Sequence, residues 1–302
     1  MSVTTAIIGK GALGLLYADI ITTHNPENDV FFVMDSDHFE RHRNEQVIIN
    51  NKPHSFKTLL VDDAPQADLV IVAVKTTGLM QSLNLIEPLL HSNTIIISVL
   101  NGITSEDHLA QRFGWQRIVP CVAQGMDAMR FGATMSYTKQ GELHVGRFEE
   151  TPLEAYETLC KYFDQTGIPY IKEADIRYRL WAKFLLNVGL NQTCAAYNCT
   201  YSDVLQEGEA NRVMIAAMRE VLALSQVEKI GLTEKELNRM VALIGTLNPQ
   251  STPSMGQDRI NHNYSEVDEF SGEVIRRAEK HSLLVPTNRY LNACIRQIEA
   301  DY

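Results

Sequence analysis

The sequence lacks the marks of a secreted, membrane or nucleic-acid-binding protein. Its first residues, MSVTTAIIG, carry no basic region before the apolar run, so we expect no secretory signal. Purely apolar stretches such as LVIVAV at 69–74 are far too short to span a bilayer. A formal net charge of −10 without a basic block is unsuited to nucleic acid or anionic membranes. We therefore expect neither as a partner.

Paired cysteines and metal-ligand spacings are also missing. The five cysteines are odd in number and show no C-x-x-C pair, which is typical of reduced thiols in a cytoplasmic protein. Cys194 and Cys199 have no matching Cys or His pair, and the nine histidines show no H-E-x-x-H spacing. The sequence thus predicts no metal site.

What is present is an ordinary globular composition over 302 residues, with 45% hydrophobic and 21% charged residues. That length suffices for two medium-sized domains. The first half alternates helical patterns with short, nearly continuous apolar runs, which are typical of parallel strands covered on both faces. We predict an α/β fold in which a Rossmann-type doubly wound sheet contains strands at 4–9, 29–35, 67–75 and 93–100.

The pattern changes after Asp175, because almost everything from there to Tyr302 has helical period. We therefore predict a dinucleotide-binding domain at 1–174 and an all-helical substrate-binding domain at 175–302. Within the first domain we further expect a small hairpin of 46–50 with 57–63, a strand at 117–124, an antiparallel pair in 132–148 appended to the main sheet, a helix at 151–167 and a last strand at 168–174.

The segment AIIGKGALG contains Gly9, Gly11 and Gly14 in the spacing G-x-G-x-x-G, between a predicted strand and a predicted helix. The first glycine permits a tight turn, the second lets the backbone approach a pyrophosphate, and the third allows the helix to pack closely on the strand. The helix N-terminus then offers amide donors and partial positive charge to phosphates. The loop predicts a dinucleotide site formed by Gly9, Lys10, Gly11, Ala12, Leu13 and Gly14.

Asp35 ends the second predicted strand, 21 residues past Gly14, where an acidic residue is expected to bind the adenosine ribose. A carboxylate there accepts bonds from both ribose hydroxyls and would repel a 2′-phosphate, which favours NAD(H). Arg41 and Arg43 are close enough in sequence to offset that repulsion, or else they are solvated charges on the next helix.

The stretch LWAKFLLNVGLNQ, residues 180–192, predicts one apolar helix with three polar intruders. Lys183, Asn187 and Asn191 are four residues apart, so on a regular helix they rise along one side, drifting about 40° per step. An ammonium and two amides on one stripe indicate a site. From these residues alone, a snorkelling lysine and two helix–helix hydrogen-bond partners are the alternative.

With these pieces in order, the chain resembles the ketopantoate reductase (2-dehydropantoate 2-reductase) family over nearly its full length. The resemblance rests on six segments: GKGALG (9–14), VAVK (72–75), LNG (100–102), RLWAKFLLNVGLNQ (179–192), PSMGQD (253–258) and YSEVDEFSGEVIRRAEKHSLLVPTN (264–288). The last three segments are the most specific, because a glycine loop alone is shared by very many families.

The resemblance implies an N-terminal Rossmann domain that binds NADPH, a helical domain that closes over it, and a substrate in the cleft. It implies that Lys183 is the catalytic lysine and that Glu266 helps to position it and the substrate. The remaining implied roles are substrate binding by Asn187, Asn191, Ser254 and Asn101, with Asn101 also near the nicotinamide ribose, and cofactor phosphate binding by Lys75.

Each of these residues also has a structural alternative. Ser254 follows Pro253 and could be only a helix N-cap. Glu266 follows Ser265 and could merely favour a helix dipole. Asn101 and Lys75 follow predicted strands, where ligands of open α/β sheets bind, but a turn residue and a solvated lysine are equally ordinary there.

The implied reaction reduces 2-dehydropantoate to (R)-pantoate for pantothenate and coenzyme A synthesis, with Lys183 as proton donor. Asp35 departs from the family, many members of which carry an arginine or another phosphate-compatible residue there. It leaves open an NAD-dependent D-2-hydroxyacid dehydrogenase of the D-mandelate type, acting on another branched or aromatic 2-oxo acid. A cofactor-binding sensor without turnover is the alternative of another class, and a homodimer is left open.

Overall fold

The computed structural model describes residues 2–302, and the chain divides into two compact units. The first unit comprises residues up to 100 together with 104–176, and the second comprises 101–103 together with 177–302. The segment 101–103 therefore groups with the second unit, although it follows a strand of the first. The division of the polypeptide into domains at 1–174 and 175–302 stays a prediction.

The first unit contains all the strands of the described chain and five α-helices. Its strands are β1 (Thr5–Ile8), β2 (Val30–Met34), β3 (Val47–Ile49), β4 (Lys52–His54), β5 (Lys57–Leu60), β6 (Leu69–Val72), β7 (Ile95–Ser98), β8 (Cys121–Met126), β9 (Met129–Phe131), β10 (Thr134–Ser136), β11 (Gln140–Val145) and β12 (Tyr170–Lys172). Its helices are α1 (Ala12–His24), α2 (Ser36–His42), α3 (Leu79–Ile86), α4 (Ser105–Phe113) and α5 (Leu153–Thr166).

The main sheet is parallel throughout, in the order β5-β2-β1-β6-β7. Successive residues of its strands point to opposite faces, so Ile7 packs in a core with α1 and α5 whereas Ile8 packs in a second core with α3 and α4. Burial on both faces explains why these strands are nearly continuous apolar runs. The predicted doubly wound α/β fold is confirmed.

The predicted hairpin of 46–50 with 57–63 is wrong. Strand β3 pairs antiparallel with β4, whereas β5 runs parallel to β2 at the edge of the main sheet. Asn50 and Asn51 provide the positive φ angles of the turn (47° and 66°), so the chain reverses before Lys52 rather than after Pro53. The turn at Asn50 and Asn51 therefore lies earlier in the chain than the turn that the apolar pattern predicted.

The predicted antiparallel pair within 132–148 is also wrong. Strand β10 pairs with β9 and β3, and β11 pairs with β8 and β12, so the two halves lie in two separate sheets beside the main one. The expected strand at 117–124 begins only at Cys121, after a single bridge from Ile118 to Ile96 of the main sheet. Alternation predicted the strands but contained no information about their partners.

The second unit is helical, as predicted. Its helices are α6 (Ile176–Leu186, which begins at the unit boundary), α7 (Gln192–Tyr197), α8 (Tyr201–Leu205), α9 (Glu209–Val227), α10 (Glu234–Ile244), α11 (Ser254–Ile260), α12 (Glu273–Lys280) and α13 (Pro286–Glu299). Two stretches are π-helical: the first π segment (Asn187–Asn191) joins α6 to α7, and the second π segment (Asp268–Gly272) leads into α12. No helix within residues 2–302 is long and apolar enough to cross a membrane.

The expectation of one regular helix over 180–192 is therefore wrong at 187–191. A π-helix bonds each residue to the fifth one along, so four residues fall short of a full turn and the polar stripe does not rise as on an α-helix. Gly189 lies inside this segment because α9 passes directly over it: a Cβ there would lie 2.3 Å from Cγ of Met218. The close passage of α9 could not be foreseen from the stretch alone.

Candidate active site

The three glycines of the loop after β1 have the geometry that their predicted roles require. Gly9 has φ +106°, and a Cβ on it would lie 2.5 Å from the carbonyl oxygen of Ala73 at the end of β6. A Cβ on Gly14 would lie 2.0 Å from the carbonyl oxygen of Gly9, so only glycine lets α1 start this close to β1. Around Gly11 the nearest atom would be 3.9 Å away, which leaves space for a ligand to approach.

The N-terminus of α1 is suited to a diphosphate. Gly11 is its N-cap and has no side chain to accept from the first amides, and the first turn contains no acidic residue. These amides and the partial positive charge of a 13-residue helix favour an anion. The loop from Gly9 to Gly14 therefore fits the pyrophosphate of a dinucleotide at the edge where β1 and β6 end, the usual ligand position in such sheets.

Lys10 in this loop directs its side chain into the protein. Its ammonium pairs with Glu45 at 3.3 Å and donates to the carbonyl of His42 at 3.3 Å, and burial lowers its pKa although Glu45 opposes the shift. Arg130 of β9 donates to the backbone carbonyl of Lys10 and to Glu45. Glu45 thus joins two cations that hold the loop, and any contact of Lys10 with a cofactor is expected from its backbone.

Asp35 lies directly after β2 and caps α2. Its carboxylate accepts from the backbone N–H of His38 at 2.9 Å and from the His38 ring at 2.8 Å, and it is half exposed. The backbone bond from His38 holds the pKa of Asp35 below its usual value, against the opposing effect of partial burial. Lys75 is exposed and begins the turn after β6. Contacts of both residues with a cofactor stay predictions.

In the second unit, Lys183 is half-buried on the last turn of α6, and Asn187 follows four residues later as the first residue of the first π segment. Asn187 is 7% exposed, and its Nδ2 is buried without a hydrogen-bond partner within residues 2–302. A buried amide that donates to nothing is costly, so in native proteins it usually has an external partner. It is therefore a candidate donor to a ligand.

The structure brings the other predicted site residues of this unit together in two pairs. Asn191 donates from Nδ2 to Oγ of Ser254 at 3.5 Å, and Asn101 donates from Nδ2 to Oε2 of Glu266 at 3.0 Å. Ser254 is the first residue of α11 and Pro253 is its N-cap, so the reading of Ser254 as a cap is wrong. Substrate contacts of all four residues stay predictions.

Sequence reasoning missed residues that hold these groups in place. Arg130 and Glu45 support the glycine loop from 120 and 35 positions away, and no motif indicated them. Gln192 follows Asn191 but lies outside the four-residue spacing, and it is fully buried. Nowhere in residues 2–302 do three or more His, Cys, Asp or Glu side chains cluster in a way that could hold a metal ion.

Comparison with known proteins decides the family. The profile described as "Ketopantoate reductase PanE/ApbA" matches residues 5–150, and the profile described as "Ketopantoate reductase PanE/ApbA C terminal" matches residues 175–299. The chain belongs to the ketopantoate reductase family. It is accordingly an oxidoreductase with a Rossmann-type domain for a nicotinamide cofactor, as the motifs predicted.

Curated relatives of this chain are named 2-dehydropantoate 2-reductase. The protein of Streptococcus pyogenes serotype M1 is 23% identical over 303 residues, with 97% of each chain covered. The protein of Vibrio cholerae is 23% identical over 299 residues, with 98% of each chain covered. These relatives match the whole chain, including both units.

Solved structures show the same fold. A PanE/ApbA family ketopantoate reductase from Ralstonia eutropha superposes with a TM-score of 0.83 at 23% identity, covering 99% of both chains. A D-mandelate dehydrogenase in complex with NADH superposes with a TM-score of 0.87 at 21% identity, again covering 99% of both. The fold is thus shared by proteins whose names give different substrates.

Proposed function

We propose that this ketopantoate reductase family member reduces 2-dehydropantoate to (R)-pantoate, with Lys183 as the proton donor. The observation that carries the proposal is the buried Nδ2 of Asn187, which has no hydrogen-bond partner within residues 2–302 and lies four residues after Lys183. An uncharged donor held next to an ammonium suits a substrate that combines a ketone, a hydroxyl and a carboxylate. The relatives named 2-dehydropantoate 2-reductase support this substrate.

The chemistry needs a hydride and a proton. A reduced nicotinamide cofactor held by the glycine loop would supply the hydride for the C2 ketone. The ammonium of Lys183 hydrogen-bonds the ketone oxygen, stabilises the negative charge that develops on it, and gives it the proton that completes the hydroxyl. Lys183 stands on a helix, and a rigid element places such a donor more accurately than a loop does.

The amides orient the substrate without adding charge. Asn187 donates from Nδ2 to a substrate oxygen, which satisfies a buried donor that has no partner within residues 2–302. Asn191 and Ser254, already in contact with each other, bind the substrate hydroxyl and carboxylate. Glu266, whose Oε2 accepts from Nδ2 of Asn101, helps to position Lys183 and the substrate in this proposal.

For the cofactor, we propose that NADH is accepted and preferred, while NADPH remains the family expectation. The ionised carboxylate of Asp35 lies at the end of β2, where it favours ribose hydroxyls and repels a 2′-phosphate. Arg41 and Arg43 do not neutralise it through a salt bridge: Arg41 donates to the carbonyl of Asp37, and Arg43 pairs with Glu40. Lys75 supplies positive charge to the cofactor phosphates.

The second candidate function is an NAD-dependent D-2-hydroxyacid dehydrogenase for a branched or aromatic 2-oxo acid. Asp35 and the likeness to the NADH complex of D-mandelate dehydrogenase favour it. Both candidates use the same roles for Lys183 and Asn187. They differ only in the side chain that the substrate presents.

A matrix of two cofactors and several 2-oxo acids separates these functions. The absorbance of NADH and of NADPH is followed with 2-dehydropantoate, 2-oxoisovalerate and phenylglyoxylate. Fastest turnover of 2-dehydropantoate supports the first candidate, and fastest turnover of phenylglyoxylate supports the second. Cofactor binding without turnover of any of the three acids would contradict both and leave the cofactor-binding sensor.

Three broader expectations belong to the same proposal. Residues 175–302 form the substrate-binding domain, to be checked by limited proteolysis around residue 174. The protein is cytoplasmic, which the free thiols of all five cysteines support. It forms a homodimer, supported by the solved Staphylococcus aureus relative that is described as dimeric, and sedimentation equilibrium tests this.

A further inference from the structure

The two π segments of the second unit are joined by one side chain. Gln192 follows the first π segment and is fully buried. Its Nε2 donates to the carbonyl of Val188 inside the first π segment at 2.8 Å, and its Oε1 accepts from the backbone N–H of Ser271 inside the second at 2.9 Å. One amide therefore satisfies a backbone group in each irregular segment.

The first π segment contains two candidate site residues, and the second begins two residues after a third, Glu266. The first π segment begins with Asn187 and ends with Asn191. The second lies just after Glu266, and its Glu269 packs against Gly102, next to Asn101. A change in the distance between the two segments would move Asn187 and Asn191 relative to Glu266. Single π-helical turns are frequent at functional sites.

The side chain of Gln192, which joins the two π segments, also contacts a third element, α13. Asn288 of α13 accepts from Nε2 of Gln192 at 3.4 Å, and its own Nδ2 donates to Glu220 of α9 at 2.8 Å. Glu220 also accepts from the backbone N–H of Asn288 at 2.9 Å. The orientation of the Gln192 amide is thus fixed by a buried network rather than by packing alone.

We propose that Gln192 is a positioning residue of the substrate site: it sets the spacing of the two π segments, and through them it places Asn187 and Asn191 against Glu266. This inference rests on the proposed function of these residues. It assigns no chemistry to Gln192, which contacts backbone groups and Asn288. It gives a role to the fully buried amide that directly follows Asn191.

The first experiment replaces Gln192 by Met, which has a similar length and no hydrogen-bonding amide. We expect kcat/KM for the 2-oxo acid to fall at least tenfold, and Kd for the cofactor to stay within about twofold, because every partner of Gln192 lies in the second unit.

The matched control is Ser225→Ala, also in the second unit. Ser225 is fully buried, and its Oγ bridges the carbonyl of Leu222 at 2.7 Å and the N–H of Leu232 at 3.2 Å, in neither π segment. It should lower the melting temperature like Gln192→Met but leave kcat/KM within about twofold of wild type. If Gln192→Met matches this control in kcat/KM, the inference is overturned.

A second measurement needs no variant and covers the case in which Gln192→Met does not fold. Amide hydrogen exchange is followed in the wild-type protein, free and in a dead-end complex of NAD⁺ with the 2-oxo acid that turns over fastest. We expect slower exchange in both 187–192 and 268–272 on complex formation. Slowing in one segment alone would overturn the coupling. Absence of turnover in wild type would instead contradict the proposed function.

Discussion

The two units of this chain offer different parts of the polypeptide to a ligand. In the first unit, the glycine loop exposes backbone amides, and its one charged side chain, Lys10, is turned inward and paired with Glu45. In the second unit, the candidate groups are side chains, and one of them, Asn187, keeps a buried donor without a partner. Backbone amides can hold a phosphate group that many cofactors share, whereas recognition of one particular 2-oxo acid depends on specific side chains.

The largest expected effect tests the second half of this comparison. Lys183→Ala should lower kcat by about 10²- to 10⁴-fold, because the ketone oxygen loses its proton donor. Cofactor Kd, measured by quenching of intrinsic fluorescence, should stay within about twofold. Lys235→Ala, at an exposed lysine of α10, is the control and should have wild-type kinetics. Unchanged kcat in Lys183→Ala would remove this lysine from the mechanism.

The next effect contrasts an unpartnered amide of the second unit with a partnered one of the first. Asn187→Leu should lower kcat/KM about 10- to 100-fold, as expected when a buried substrate oxygen loses its hydrogen-bond donor at a cost of ~1–3 kcal/mol. The free energy of unfolding of Asn187→Leu should stay the same or rise, because Nδ2 of Asn187 makes no hydrogen bond that the substitution could remove.

Asn28→Leu should show the reverse behaviour. Asn28 is also buried, but it accepts from Val3 N–H and donates to the carbonyl of Gln165, both at 3.3 Å. Its loss should lower the free energy of unfolding by about 1–3 kcal/mol and leave substrate KM unchanged. Urea unfolding and steady-state kinetics of both variants are the measurements. Equal destabilisation by the two substitutions would mean that Asn187 is an ordinary structural amide.

A smaller effect concerns Asp35, the exposed acidic residue that is expected to contact the cofactor. Asp35→Asn keeps a side chain that caps helices well and removes the charge, so α2 should persist. The ratio of Kd for NADPH to Kd for NADH should fall roughly tenfold, or ~1.4 kcal/mol, because the repulsion of a 2′-phosphate is lost. Asp37→Asn, with the same charge change in the first turn of α2, should leave the ratio unaltered. If both variants shift the ratio equally, Asp35 has no specific role.

The smallest effect tests how the glycine loop is held. The positive charge of Arg130, with bonds from His42 and Lys10, holds the pKa of Glu45 below its usual value despite partial burial, which acts the other way. Because the folded-state pKa is lowered, the stabilisation is present above the unfolded pKa of about 4.3 and is lost as the pH falls through the folded value.

The difference in unfolding free energy between wild type and Glu45→Gln should therefore shrink as the pH is lowered from about 6 to about 3. Chemical denaturation at several pH values measures it. Glu40→Gln, at an exposed pair with Arg43, should show almost no difference at any of these pH values. A difference for Glu45→Gln that grows on acidification would contradict the assignment.

The predictions from sequence succeeded where the structure follows local pattern. Apolar runs fixed the parallel strands, helical period fixed the second unit, and three glycines fixed the loop geometry, since each depends on residues close together in the chain. The strand partners of β10 and β11 were wrong because alternation is the same whichever neighbour is chosen. The π segment at 187–191 was missed, and so was the close packing of α9 on Gly189 within it, because the local pattern contains no information about a distant helix.

By itself, the sequence determined the family, the glycine loop and the identity of the candidate groups, because these are encoded in short motifs whose spacing fixes their chemistry. Only the tertiary structure decided which groups meet. It placed Asn101 beside Glu266 across 165 positions, turned Lys10 toward Glu45, and left Nδ2 of Asn187 without a partner within residues 2–302. Hydrogen bonds act over about 3 Å of space whatever the separation along the chain, so such pairings appear only when the chain is folded.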